Sequence, residues 1–350
     1  MMQDTATSTR TARSSNYELL RIIAMLMILS LHSFAATDGC FPCSVSTGID
    51  FLREACCISA VNTYVLISGY FSIKWKTKNC CALVYQILFW LLLVYGVAVA
   101  CGLTAFSATE LFRRLNGIAG AYWFVAVYLI LYLIAPVLNA FAEQATQREL
   151  GRFLLVFFAV QTYFSLLSSP IFGIGCNVLS FAGLYLTGAY IRKGNLTQWA
   201  AGHKPALHAV LTTSTLLIAA MMWTEFFGAG CSMLQIKTSF WGLAYNNPLV
   251  IVQSVAIFLL FSTFHIQSRP INAVASSVLA VYLLHMHPDV KQWYYDYTWS
   301  LYGLSLPVHY GILSLLFAMA FAVAIAVDRI RLVTFQLLYN RITSRRNDRS

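Results

Sequence analysis

The chain has 350 residues, 59% of them apolar and 10% charged, with a formal net charge of +10. A soluble domain carries about 25% charged residues, so the composition excludes an ordinary soluble fold and predicts an all-α, polytopic membrane protein. The basic excess needs no nucleic-acid partner, because it is placed mostly on one side of a membrane and in the C-terminal tail, beside anionic lipid.

Apolar stretches long enough to cross a bilayer recur along the chain. They cover residues 17–36, 51–72, 81–104, 119–139, 152–168, 174–191, 205–223, 248–265, 271–287 and 307–328. This pattern predicts about ten transmembrane helices in one membrane domain (16–330), between a cytoplasmic N-terminal tail (1–15) and a basic cytoplasmic tail (331–350). With the N-terminus inside, 18 of the 23 basic residues fall on the cytoplasmic side and five on the other. That is the positive-inside bias, and it places both termini in the cytoplasm of a multi-pass plasma-membrane protein. Ser33-Phe34-Ala35-Ala36 loosely resembles a signal-cleavage site, but the later segments need no such signal.

The first segment carries the sharpest chemical signal. Arg21 and His32 stand eleven residues apart. At about 100° and 1.5 Å per residue they share one helix face, roughly 16 Å apart along the axis. An ionisable group inside a membrane helix is a candidate functional residue. His32 suits a general base or a nucleophile; the plain alternative is a histidine bonded to a neighbouring helix. Arg21 also reads as an interfacial anchor, with Glu18 one turn before it as an ion-pair partner. Beyond this segment, Cys40 and Cys43 are compatible with free thiols, a disulfide, or metal or redox chemistry. No metal is expected.

The second segment ends in Ser68-Gly69, small residues that suit close helix packing, and contains Asn62, a polar group at depth that needs a partner. Lys74, Lys76 and Lys78 follow. They read as topology signals or as point charges for a phosphate-bearing ligand. The ninth segment ends at His285, which alone reads as interfacial. After it come Trp293, Tyr294, Tyr295, Tyr297, Trp299 and Tyr302, either an aromatic belt or a platform for sugar rings.

Six pieces together resemble the acyltransferase-3 family of integral membrane O-acyltransferases. They are Arg21 with His32, Leu66-Ile67-Ser68-Gly69-Tyr70-Phe71 with its lysines, and Tyr122-Trp123-Phe124 leading to Tyr132-Leu133-Ile134-Ala135-Pro136. Then follow Gly188-Ala189-Tyr190-Ile191-Arg192, Tyr245-Asn246-Asn247-Pro248 and Tyr282-Leu283-Leu284-His285. The likeness is closest to short members that act on bacterial polysaccharides. It implies transfer of an acetyl group from cytoplasmic acetyl-coenzyme A to a hydroxyl of a surface or extracellular glycan, or of a lipid-linked sugar. On this reading His32 and Arg21 are catalytic, and Arg21, Lys74, Lys76, Lys78 and Arg192 bind the donor. Ser68, Tyr245, Asn246 and His285 bind substrate, and polysaccharide-assembly proteins are expected partners. Many members carry arginines where this chain has the three lysines, which puts individual donor contacts there in doubt. Two other classes remain open from sequence: a transporter or flippase, and a non-catalytic partner in polysaccharide assembly.

Overall fold

A computed structural model describes residues 14–33, 45–166, 171–227 and 241–347. Cys40, Cys43, Cys231 and most of the N-terminal tail lie outside the described residues. The chain forms helices α1 (Ser15–His32), α2 (Val45–Cys57), α3 (Ala60–Phe71), α4 (Thr77–Ala100), α5 (Ala108–Asn116), α6 (Ile118–Ala121), α7 (Trp123–Gln144) and α8 (Gln147–Leu166). It continues as α9 (Val178–Lys193), α10 (Leu196–Gly202), α11 (Lys204–Phe227), α12 (Pro248–Ser262), α13 (Arg269–Ala275), α14 (Val278–His285), α15 (Pro288–Ser300) and α16 (Leu306–Asn347). Among the described residues there is no strand.

Helix occurs in each of the ten predicted segments, and among the described residues five helices are long and apolar enough to cross a membrane: α4, α7, α8, α11 and α16. At most 33% of the apolar window of any of these is buried inside the protein. Their exposed apolar surface therefore faces outward, as a lipid-facing layer must. The shorter helices supply much of the interior, together with the inner faces of α4, α7 and α16. Ala24, Met25, Ile28 and Leu29 of α1 are buried with Val61 and Val65 of α3, Leu184 of α9 and Val281 of α14.

Three predicted segments are split, the fourth between α6 and α7 at Tyr122. The second is divided between α2 and α3 at Ile58–Ser59, where the Thr63 hydroxyl donates to the Ser59 carbonyl at 2.9 Å. The ninth is divided between α13 and α14, where the Ser276 hydroxyl donates to the Ala273 carbonyl at 2.7 Å. Such back-bonding competes with the backbone ladder. The last segment runs on: α16 continues to Asn347, so most of the predicted basic tail is helical. Its Thr334 accepts a hydrogen bond from Tyr85 of α4 at 2.9 Å.

Helix ends follow local chemistry. Asn247 caps α12, accepting from Leu249 N–H at 2.9 Å with Pro248 in the first turn. Thr146 and Glu149 form a reciprocal capping box at α8. The Thr146 backbone N–H donates to the Glu149 carboxylate at 2.7 Å.

Helices α3 and α9 pack backbone against backbone. A Cβ on Gly69 would lie 1.9 Å from the Tyr185 carbonyl oxygen, and one on Gly188 would lie 2.4 Å from that of Leu66. Only glycine permits this approach, the use of small residues that membrane packing favours. Arg192 closes the same pair, donating to the Tyr70 carbonyl at 2.8 Å and to the Ser72 hydroxyl at the end of α3.

Candidate active site

The site grows from one face of α1. Arg21, Met25, Ile28 and His32 succeed one another at helical spacing, and all four line internal space. A cavity of about 240 Å³ is bounded by Arg21, Met25 and Ile28 of α1, Tyr64 and Ser68 of α3, Leu83 of α4, Phe124, Val125 and Tyr128 of α7, and Leu279 and Tyr282 of α14. A smaller chamber of about 10 Å³ lies at His32, walled by Ile28, Leu31, Val61, Trp123, Phe124, Tyr245 and Tyr282. Ile28, Phe124 and Tyr282 border both spaces. Arg21 on the larger space and His32 on the smaller therefore lie along one face of α1, with three wall residues common to the two.

At the arginine end, the Arg21 guanidinium bonds the Glu18 carboxylate at 3.2 Å, and Tyr64 donates to the Arg21 carbonyl at 2.5 Å. The Arg21 side chain is 31% exposed. It can therefore meet an incoming anion while Glu18 holds it in place. Ser68 sits in the wall, with its hydroxyl 3.1 Å from that of Tyr128. Tyr17 near the start of α1 packs on Tyr70 and Phe71 at the end of α3, with ring centroids 5.6 and 5.1 Å apart. Lys74, Lys76 and Lys78 follow directly from that end and are exposed. The structure thus sets the three lysines at the Arg21 end of the bundle, outside the cavity wall.

At the histidine end, His32 Nδ1 lies 2.9 Å from His285 Nε2. The proton positions follow from what surrounds them. His285 Nδ1 lies 2.7 Å from the Val281 carbonyl, which can only accept, so Nδ1 is the donor. In a neutral ring its Nε2 is then a lone-pair acceptor, and His32 Nδ1 donates to it. His32 Nε2 is left as the basic nitrogen. His285 is 2% exposed and lines neither cavity wall. Its place is behind His32, fixing that ring's tautomer and orientation. Tyr122 holds the same turn by donating to the Leu283 carbonyl at 3.0 Å, and Tyr294 reaches from α15 to the Leu29 carbonyl at 2.7 Å.

A charged cluster anchors the chain just past His32. Arg53 of α2 donates to the Ser33 hydroxyl at 2.8 Å and to the Tyr302 hydroxyl at 3.3 Å. It pairs with Glu54 at 3.3 Å and Asp50 at 3.6 Å, and Tyr310 of α16 donates to Asp50 at 2.8 Å. Glu54 and Asp50 are 1% and 4% exposed, so these charges depend on one another. Sequence reasoning passed over this cluster. Its signal was present: three charged residues within five positions at the start of a predicted span.

The remaining predicted residues separate. Tyr245 belongs to the wall of the His32 chamber. Its carbonyl accepts from Asn62 at 2.8 Å, which supplies the partner that Asn62 needed. Asn246 lies outside both walls and donates to the Ser165 hydroxyl at 2.6 Å and the Gly173 carbonyl at 3.0 Å. Arg192 is engaged at the α3–α9 contact, away from the cavity wall. The aromatic stretch after His285 is helical, with Tyr294 directed inward and Trp293 stacked on Tyr297 at 5.4 Å on the exposed side. Tyr64, Trp123, Phe124, Tyr128 and Tyr282 are wall residues that sequence reasoning had not assigned to the site. Among the described residues no group of three or more His, Cys, Asp or Glu converges on one point.

The site is thus a helical bundle with a cavity that Arg21 lines and, further along α1, a half-buried His32 backed by the buried His285, an arrangement suited to an integral membrane enzyme. The family model for the acyltransferase-3 domain, described as an acyltransferase domain, matches residues 15–327. The chain therefore belongs to the acyltransferase-3 family and is a membrane acyltransferase. No curated protein and no solved structure matches it.

Proposed function

We propose that the protein transfers an acetyl group from cytoplasmic acetyl-coenzyme A to a hydroxyl of a glycan or lipid-linked sugar at the outer face of the plasma membrane. We place the chain across the bilayer ten times with both termini inside. The observation that carries the reading is one face of α1, which presents Arg21 to a cavity of about 240 Å³ and His32, paired with His285, to a neighbouring chamber that shares three of its wall residues.

The phosphates of the donor meet Arg21 and the basic residues at that end. The slender pantetheine arm fits a cavity that is mostly apolar but has hydroxyls at Ser68, Tyr64 and Tyr128. It brings the thioester to His32. There His32 Nε2 takes the proton of the acceptor hydroxyl as its oxygen attacks the thioester carbonyl. The C–O bond forms, the C–S bond breaks, and the departing coenzyme A sulfur recovers the proton from His32. His285 accepts from His32 Nδ1 throughout and stabilises the imidazolium that forms in between. A base placed this way contributes about 10²–10⁴-fold.

The test is coenzyme A release from acetyl-coenzyme A by purified wild type and His32→Ala in nanodiscs, with a panel of oligosaccharide acceptors. Release that depends on acceptor and vanishes in the folded variant is expected. Equal release by both, or sugar movement across the membrane without donor consumption, would overturn the reading. Intersecting initial-rate patterns are expected for direct transfer; parallel patterns with an acyl-His32 adduct would show a relay instead.

A further inference from the structure

We infer that the chamber at His32 fixes the length of the transferred acyl group at two carbons, with Val61 and Leu31 as the residues that set the limit. The inference rests on the acyl-transfer reading above and specifies which donors that site accepts.

The chamber measures about 10 Å³. A cavity of about 10–15 Å³ on this measure holds one water-sized group, and the methyl of an acetyl group is of that size. Each further methylene of a propionyl or butyryl group needs space that is already filled by side chains.

The walls cannot yield that space cheaply. Trp123 packs against Phe181 and Tyr245, with ring centroids 6.3 and 5.8 Å apart. Phe124 packs against Tyr282 and Phe181, at 5.9 and 5.7 Å. Tyr245 is fixed through its backbone on both sides: its N–H donates to the Ile174 carbonyl at 2.9 Å and its carbonyl accepts from Asn62 at 2.8 Å. The aromatic part of the box is therefore rigid. Ile28 borders both spaces, so it shapes the neck as well as the chamber. That leaves two aliphatic side chains bordering the small chamber alone, Leu31 on α1 and Val61 on α3. They approach from different helices, so each can be shortened independently.

A hydrophobic pocket discriminates one methylene by roughly 10–200-fold. Wild type should thus use acetyl-coenzyme A at least tenfold better than butyryl-coenzyme A, as kcat/KM.

The experiment measures coenzyme A release from acetyl-, propionyl- and butyryl-coenzyme A by wild type, Val61→Ala and Leu31→Ala in nanodiscs, with one acceptor. Monodispersity and thermal midpoint are checked first. The expected result is an acetyl preference in wild type and a rise of about tenfold in the butyryl-to-acetyl ratio in each folded variant. Equal use of acetyl and butyryl by wild type, or an unchanged ratio in the folded variants, would overturn this inference and leave the transfer reading standing. Release from no donor by wild type would overturn both. Because the wild-type ratio is itself decisive, misfolding of either variant does not remove the test.

Discussion

His32 Nδ1 and His285 Nε2 lie 2.9 Å apart, although the two residues stand 253 positions apart in the chain. The contact has a direction. The Val281 carbonyl commits His285 Nδ1 to donate, His285 Nε2 to accept and His32 Nδ1 to donate in turn. The neutral pair can thus present only His32 Nε2 as a base. His285 is accordingly a positioning residue: it does not line the cavity, yet it decides which nitrogen of His32 faces it.

Removing His285 should lower kcat on the order of 10²-fold, within the range a positioned base supplies, with little change in KM for the donor. His285→Gln should keep more activity than His285→Ala, since the glutamine carbonyl can still accept from His32 Nδ1. Nitrogen NMR of labelled histidine supplies a readout that a merely structural role would not move. Wild type should show His32 protonated on Nδ1, and His285→Ala should show a tautomer mixture.

Arg53 should matter as much to folding as to catalysis. Arg53→Met leaves Asp50 and Glu54 buried without their cation, a loss expected to cost about 3–5 kcal/mol. It also releases Ser33, the residue next to His32. A lower thermal midpoint in detergent should result. Adding Glu54→Gln and Asp50→Asn should recover part of it, because the unpaired charges are then gone. A triple variant no better than Arg53→Met would argue against charge burial as the cause.

The α3–α9 contact should tolerate no methyl group. Gly69→Ala and Gly188→Ala each place a carbon against backbone, at 1.9 and 2.4 Å. The helices must separate, with an overpacking cost of at least about 1–3 kcal/mol. Ser68 shares the helix of Gly69 and lines the cavity proposed for the donor, so donor affinity should fall along with the thermal midpoint. Gly96→Ala, where nothing lies within 4 Å of the added carbon, is the control and should behave as wild type.

Local chemistry was legible in the sequence because it depends on neighbours along the chain. The Arg21–His32 spacing is a property of helical geometry, and both residues do line internal space from one face of α1. Glu18 pairs with Arg21 as its spacing predicted. Gly69 serves close packing, and apolar composition alone established a helical membrane protein. The order of six motifs was sufficient to indicate the family to which the chain belongs.

Only tertiary structure decided which distant groups share the site. His285 looked interfacial because its one important neighbour comes from the far end of the chain. Arg192 is as basic as Arg21, but a carbonyl and a hydroxyl at the end of α3 engage it. Tyr245 and Asn246 are adjacent in sequence, yet one walls the chamber and the other ties a loop. The aromatic walls could not be singled out among 24 phenylalanines and 19 tyrosines, because in an apolar chain every ring suits burial. Sequence determined the helical class and the face of α1 that Arg21 and His32 share, since those follow from periodicity and residue type. The fold determined the shape of the chamber and the basic nitrogen of His32, since both depend on where separate helices bring their side chains.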